Sequence, residues 1–210
     1  VIRGYYFITD SALSRAGVLD DVSLAVKCGV GVVQYREKNA STKILFEEAS
    51  RLREICRNAA LIINDRIDIA LAVSADGAHI GQDDMPLDEA RRLLGKDKII
   101  GVTVHNEDEA RAAERLGADY LGISPVFATS TKKDAGASCG IELIKRIRSF
   151  SKLPLVAIGG INFDNAREVI SAGADALCAI SAVASSSDPA GAIRRFQKLF
   201  QLAPQLVPGI

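Results

Sequence analysis

The sequence predicts a single, compact (β/α)8 TIM barrel. Short β-branched runs alternate with helical stretches eight times along the chain, and polar clusters fall at the ends of those runs. Two similar tetrapeptides, Leu116-Gly117-Ala118-Asp119 and Ala172-Gly173-Ala174-Asp175, precede strand-like segments as if one βα unit were reused. The 210 residues suit one hydrophobic core and fall short of the roughly 250 usual for this barrel, so helices and bottom loops are expected to be short. An open doubly wound sheet is the competing architecture. It would favour a spaced-glycine turn after the first strand, where this chain has Ser11-Ala12-Leu13-Ser14.

The first strand is read over 5–9 and the second over 30–35, both from dense apolar and β-branched residues. Ile44, Leu45, Ala49, Leu52, Ile55 and Cys56 recur with helical spacing through 42–59, and 60–64 makes the third strand. A short helix over 66–73 leads to a small strand at 78–80. Pro86 then stands in the first turn of a helix reaching Leu94, where its missing N–H costs nothing. Residues 99–102, 120–123, 155–158 and 176–180 supply the remaining strands. Asn106 and Asn162 are placed to cap helices that stop near Gly117 and Gly173. A final amphipathic helix covers 188–201, so the catalytic domain is drawn over 1–202 and a short tail over 203–210.

Lysine plus arginine and aspartate plus glutamate each total 26, so net charge gives no reason to expect a nucleic-acid partner. Charged residues interrupt every long apolar stretch before it reaches membrane-spanning length. Cys28, Cys56, Cys139 and Cys178 are far apart and form no CxxC pair, which fits unpaired thiols in a reducing cytosol and a cytoplasmic location. Self-association is compatible with this composition but not specified by it.

Active-site groups of such a barrel gather after the carboxyl ends of its strands. Arg36 and Lys38 follow the second strand and supply two cations for a phosphate or diphosphate, and alternation gives Gln34, Arg36 and Lys38 one orientation. Asp65 and Asp84 are candidate magnesium ligands, with Asp83 a second choice; both also stand where an ordinary helix cap would. Gly159-Gly160 permits close backbone approach and Ser181 begins a short helix, at the two loops that recurrently bind phosphate in this fold. The polar loop from Pro125 to Gly140 is suited to closing over charged substrate. Of the two histidines, His79 reads as structural and His105 as the residue at the mouth.

Taken together, Tyr6-Phe7-Ile8-Thr9-Asp10, Val33-Gln34-Tyr35-Arg36-Glu37-Lys38, Ile62-Ile63-Asn64-Asp65-Arg66, Gly77 to Asp84, Gly101-Val102-Thr103-Val104-His105, Gly122 to Lys132 and Ala157-Ile158-Gly159-Gly160-Ile161 resemble the thiamine-phosphate synthase family, in family order across nearly the whole barrel. The resemblance implies a transferase that joins hydroxymethylpyrimidine diphosphate to a thiazole phosphate, with pyrophosphate released and magnesium as cofactor. It implies catalytic roles for Arg36, Lys38 and Lys132, and pyrimidine-diphosphate contacts from Gln34, Asn64 and Thr103. It also implies magnesium on Asp65 and Asp84, and thiazole-phosphate contacts from Thr129, Thr131, Gly160, Ile180 and Ser181; His105 is added as a residue of the substrate mouth. The chain departs from the family pattern at Ser124, Ala128 and Thr103, in place of glycine, proline and serine. A thiazole tautomerase-like enzyme, a sugar-phosphate epimerase and a non-catalytic phosphate-ligand binding protein are the alternatives. None of these calls for the full set Arg36, Lys38, Asp65, Asp84 and Lys132.

Overall fold

Eight parallel strands close on one another in sequence order, β1 pairing with both β2 and β8. In this computed structural model, which describes residues 2–129 and 136–202, the chain is a (β/α)8 barrel. The strands are β1 (Gly4–Ile8), β2 (Val32–Tyr35), β3 (Ala60–Asn64), β4 (Gly77–Ile80), β5 (Ile99–Val104), β6 (Tyr120–Ile123), β7 (Leu155–Ile158) and β8 (Ala176–Cys178). The helices are α1 (Val18–Lys27), α2 (Thr42–Ile55), α3 (Ile67–Ala72), α4 (Leu87–Leu94), α5 (Glu107–Arg115), α6 (Gly140–Arg148), α7 (Ala166–Ser171), α8 (Ile180–Ala184) and α9 (Pro189–Leu202). The expected compactness comes from strands of three to six residues and from two helices, α3 and α7, of six.

Alternation along each strand divides the core in two. Val33, Leu61, Ile63, Ile100 and Leu121 point outward and pack beneath the helices, and Tyr6, Ile62, Tyr120 and Val156 fill the barrel interior. Helical periodicity does the same for α2, which buries Leu45, Ala49 and Leu52; Ile44 faces out. Asn106 caps α5, its side chain accepting from the Glu109 N–H at 2.9 Å. Asn162 caps no helix. Its side chain accepts from Asp164 N–H in a turn, and α7 starts later, after Asn165.

The amino-terminal end of the barrel is fastened by a repeated clamp, and the repeated Ala-Asp dipeptide is its sequence trace. Asp76, just before β4, accepts from the Leu61 N–H of β3 at 2.7 Å and pairs with Arg53 of α2 at 2.5 Å. Asp119, before β6, accepts from the Ile100 N–H of β5 at 2.7 Å and pairs with Arg91 of α4 at 2.6 Å. Asp175, before β8, accepts from the Leu155 N–H of β7 at 2.9 Å and pairs with Arg148 of α6. In the first quarter Gln197 of α9 takes this place, accepting from the Tyr5 N–H at 3.0 Å and donating to the Gly29 carbonyl. Each clamp satisfies a backbone donor and ties a helix to its strands, which leaves the opposite end free for chemistry.

Candidate active site

Residues at or just past the carboxyl ends of all eight strands line one cavity. The second, third and fourth strands build its polar side. Gln34 and Arg36 line it from β2, and Thr9 holds the strand end by accepting from the Arg36 N–H at 2.8 Å and donating to its carbonyl. Asn64 lines it from the end of β3. Lys38, three residues past the end of β2, has its Nζ 3.5 Å from Asp65 Oδ2.

Neither aspartate acts as the ordinary helix cap that its position allows. Arg66, not Asp65, precedes α3, and Asp65 adopts a left-handed φ of 61° that turns the chain at the strand end. Asp84 accepts from the Gly81 N–H at 2.7 Å and makes no cap bond to α4. Burial and the adjacent Asp84 carboxylate push the Asp65 carboxyl up to about 6, against the pull of Lys38. Two carboxylates held together, one driven toward its protonated form, are a donor set that a divalent cation relieves. Among the described residues no third His, Cys, Asp or Glu joins them, so water and substrate phosphate oxygens would complete the shell of such an ion. Asp83 is exposed.

The opposite wall is backbone and small side chains. Gly159 and Gly160 have φ of 100° and 64°, and a Cβ on Gly160 would lie 2.6 Å from the Ala128 carbonyl oxygen. Only glycine lets the loops after β6 and β7 approach this closely. These loops are joined by hydrogen bonds from Val126 N–H to Ile158 O at 2.8 Å and from Phe127 N–H to Gly159 O at 3.1 Å. Thr129, Gly160, Ile180 and Ser181 line the cavity here, with Ile180 and Ser181 opening α8. The wall thus offers hydroxyls and close backbone to an anion in the same cavity that Arg36 lines.

The two histidines hold different positions at this end of the barrel. His105 lies just outside β5 and binds Glu109 through Nδ1 at 2.9 Å, away from the cavity lining. His79 is buried in β4 yet lines the cavity, with Nε2 2.8 Å from Thr103 Oγ1. Ser124, buried just past the end of β6, also lines it. The strand alternation that was used for Gln34 and Arg36 would have identified His79. Thr131 and Lys132 lie outside the described residues, as does the 203–210 segment. The four cysteines are unpaired, and no helix among the described residues is long and apolar enough to cross a membrane.

Comparison with known proteins agrees with this geometry. The family model described as thiamine monophosphate synthase matches residues 5–183. A thiamine-phosphate synthase of Methanosarcina barkeri is 55% identical over 197 residues, 93% of this chain and 88% of the relative. One from Chloroflexus aurantiacus is 49% identical over 203 residues, 95% of this chain and 94% of the relative. Among solved structures, thiamine phosphate pyrophosphorylase from Pyrococcus furiosus superposes with a TM-score of 0.86 at 40% identity, covering 94% of this chain and 95% of that one. With a matching family model over most of its length and relatives at this identity, the chain belongs to the thiamine monophosphate synthase family.

Proposed function

We propose that this enzyme is a transferase that condenses hydroxymethylpyrimidine diphosphate with a thiazole phosphate, giving thiamine phosphate and pyrophosphate. The observation that carries the reading is one cavity with two unlike anion sites. Arg36 lines it beside Gln34 and Asn64, with the linked Lys38, Asp65 and Asp84 following the same strand ends, and Gly159, Gly160, Thr129 and Ser181 line it from the loops after β6, β7 and β8.

Arg36 and Lys38 bind the diphosphate and hold it as its C–O bond breaks, the bonding electrons leaving with pyrophosphate. Asp65 and Asp84 are the residues that would hold magnesium, and the ion when bound supplies neutralising charge to the diphosphate. Gln34, Asn64 and Thr103 orient the pyrimidine, whose amino-substituted ring delocalises the positive charge left on its methylene carbon. Thr129, Gly160, Ile180 and Ser181 place the thiazole so that its ring nitrogen lone pair forms the new C–N bond. In this reading Lys132 joins the charged pocket of the pyrimidine diphosphate, and Thr131 joins Thr129 in placing the thiazole phosphate. No protein nucleophile is needed, and no proton has to move for the new bond to form; orientation and exclusion of water do the chemistry.

Incubating the protein with both substrates and magnesium, followed by direct detection of thiamine phosphate and pyrophosphate, tests this. Stoichiometric appearance of both products is expected. Tight binding of both substrates without either product would instead identify a phosphate-ligand binding protein.

A further inference from the structure

Five buried polar side chains form a continuous chain across the barrel that the reaction above does not by itself demand. Gln34 Nε2 donates to the Tyr6 hydroxyl at 3.0 Å, and the Tyr6 and Tyr120 hydroxyls are 2.7 Å apart. The Tyr120 hydroxyl is 2.8 Å from His79 Nδ1, and His79 Nε2 is 2.8 Å from Thr103 Oγ1. Its two ends, Gln34 and Thr103, line the cavity, while the tyrosines lie in the barrel interior.

With the Gln34 amide nitrogen set on Tyr6, the bonding rules of the remaining groups give the chain a direction. An amide nitrogen only donates, so it occupies an acceptor position on Tyr6, and within the chain the Tyr6 hydrogen is left with Tyr120 as its acceptor. With Gln34 Nε2 on Tyr6, the Tyr120 hydrogen then goes to His79 Nδ1, which in that arrangement carries no proton. A neutral imidazole of that tautomer carries its hydrogen on Nε2 and donates it to Thr103 Oγ1. The Thr103 hydrogen is left over. So is Gln34 Oε1, and because no buried side-chain N or O among the described residues lacks a partner, that oxygen must be open to the cavity.

Two glycines show that the barrel is built around this chain. A Cβ on Gly101 of β5 would fall 1.9 Å from Cζ of Tyr120, and one on Gly122 of β6 would fall 2.9 Å from Cε1 of His79. Glycine inside a strand weakens it and is kept where another group needs the space. Here both spaces belong to rings of the relay.

We propose that Tyr6, Tyr120 and His79 are positioning residues that lock the polarity of the pyrimidine subsite, so that Gln34 presents an acceptor and Thr103 a donor. Such a subsite takes a ring with an exocyclic amine toward Gln34 and a ring nitrogen toward Thr103, and it rejects the analogue in which an oxo group replaces the amine. The ligand assignment rests on the function proposed above; the direction of the relay does not.

The test has two arms. The chain contains two histidines, so nitrogen NMR of the histidine-labelled protein resolves both rings. His79 is expected to show an unprotonated Nδ1 and a protonated Nε2 at neutral pH, and a protonated Nδ1 overturns the relay. In the second arm Tyr6→Phe is expected to raise KM for the aminopyrimidine diphosphate about tenfold and to lower discrimination against the oxo analogue by a similar factor, the effect of one lost hydrogen bond. KM for the thiazole phosphate should stay unchanged. Wild-type turnover with unaltered discrimination in Tyr6→Phe, or an equal rise in both KM values, overturns the relay alone. Absence of thiamine phosphate from the wild type overturns the reaction and the pyrimidine assignment, leaving the histidine tautomer to decide the relay.

Discussion

Asp65 concentrates the conflict on which the site depends. Its backbone is left-handed, its carboxyl is largely buried, and its neighbours are Asp84 and Lys38. A carboxyl raised to about 6 favours folding of the metal-free protein most below its ordinary value near 4, and that contribution is lost as pH rises through 6. Asp65→Asn should therefore stabilise the metal-free protein at pH 7 by about 1–3 kcal/mol, read by urea unfolding in chelator, because asparagine tolerates the left-handed backbone and brings no charge. The same variant should bind magnesium far more weakly. Wild-type affinity for magnesium, followed by calorimetry, should fall as pH drops below about 6 and Asp65 gains a proton. Wild-type-like magnesium binding by Asp65→Asn would remove this residue from the site.

Strand ends and the loops that leave them set what each side chain can reach. Gly160 joins the loops after β6 and β7, and a methyl group there would meet both the Ala128 carbonyl oxygen and Phe127 Cβ, at 2.6 and 2.7 Å. Gly160→Ala is expected to cost about 1–3 kcal/mol of stability by forcing a side chain into this backbone region and contact. It should also raise KM for the thiazole phosphate by more than KM for the pyrimidine diphosphate. Equal KM values for the variant and the wild type would separate the glycine wall from thiazole binding. Element length also explains where the two histidines lie. Strand β5 runs on to Val104, past the expected end at 102, so His105 begins the turn into α5 and meets Glu109. Strand β4 is four residues long, and alternation turns its His79 inward.

Across the whole molecule, stability and chemistry occupy opposite ends of the barrel. The clamps of Asp76, Asp119 and Asp175 tie strand starts to α2, α4 and α6, far from the cavity. Asp119→Ala removes an acceptor from the Ile100 N–H and a partner from Arg91. The pair is partly open to solvent, so the loss is expected to be about 1–3 kcal/mol in urea unfolding, with kcat and both KM values unchanged. A large fall in kcat with stability intact would contradict the separation of the two ends. The repeated Ala-Asp dipeptide was visible in the sequence as a sign of βα repetition. Its partners, an arginine from a preceding helix and an N–H from the neighbouring strand, become visible only once the barrel closes.

Alternation of short apolar runs with amphipathic stretches determined the repeated βα unit, because burial of one helix face and both strand faces is a local pattern that needs no partner to be read, and the lack of a spaced-glycine turn after the first strand favoured a barrel over an open sheet. Gln34, Arg36, Asn64, Thr103 and Gly160 were likewise legible, since each stands at or just past a strand end and the fold sends strand ends to one cavity. Tertiary structure alone decided which groups meet: Asp65 with Asp84 and Lys38, and Tyr6 with Tyr120, His79 and Thr103. These pairs come from different strands. Their chemistry depends on distance, burial and the sharing of hydrogens, which spacing along a chain does not specify.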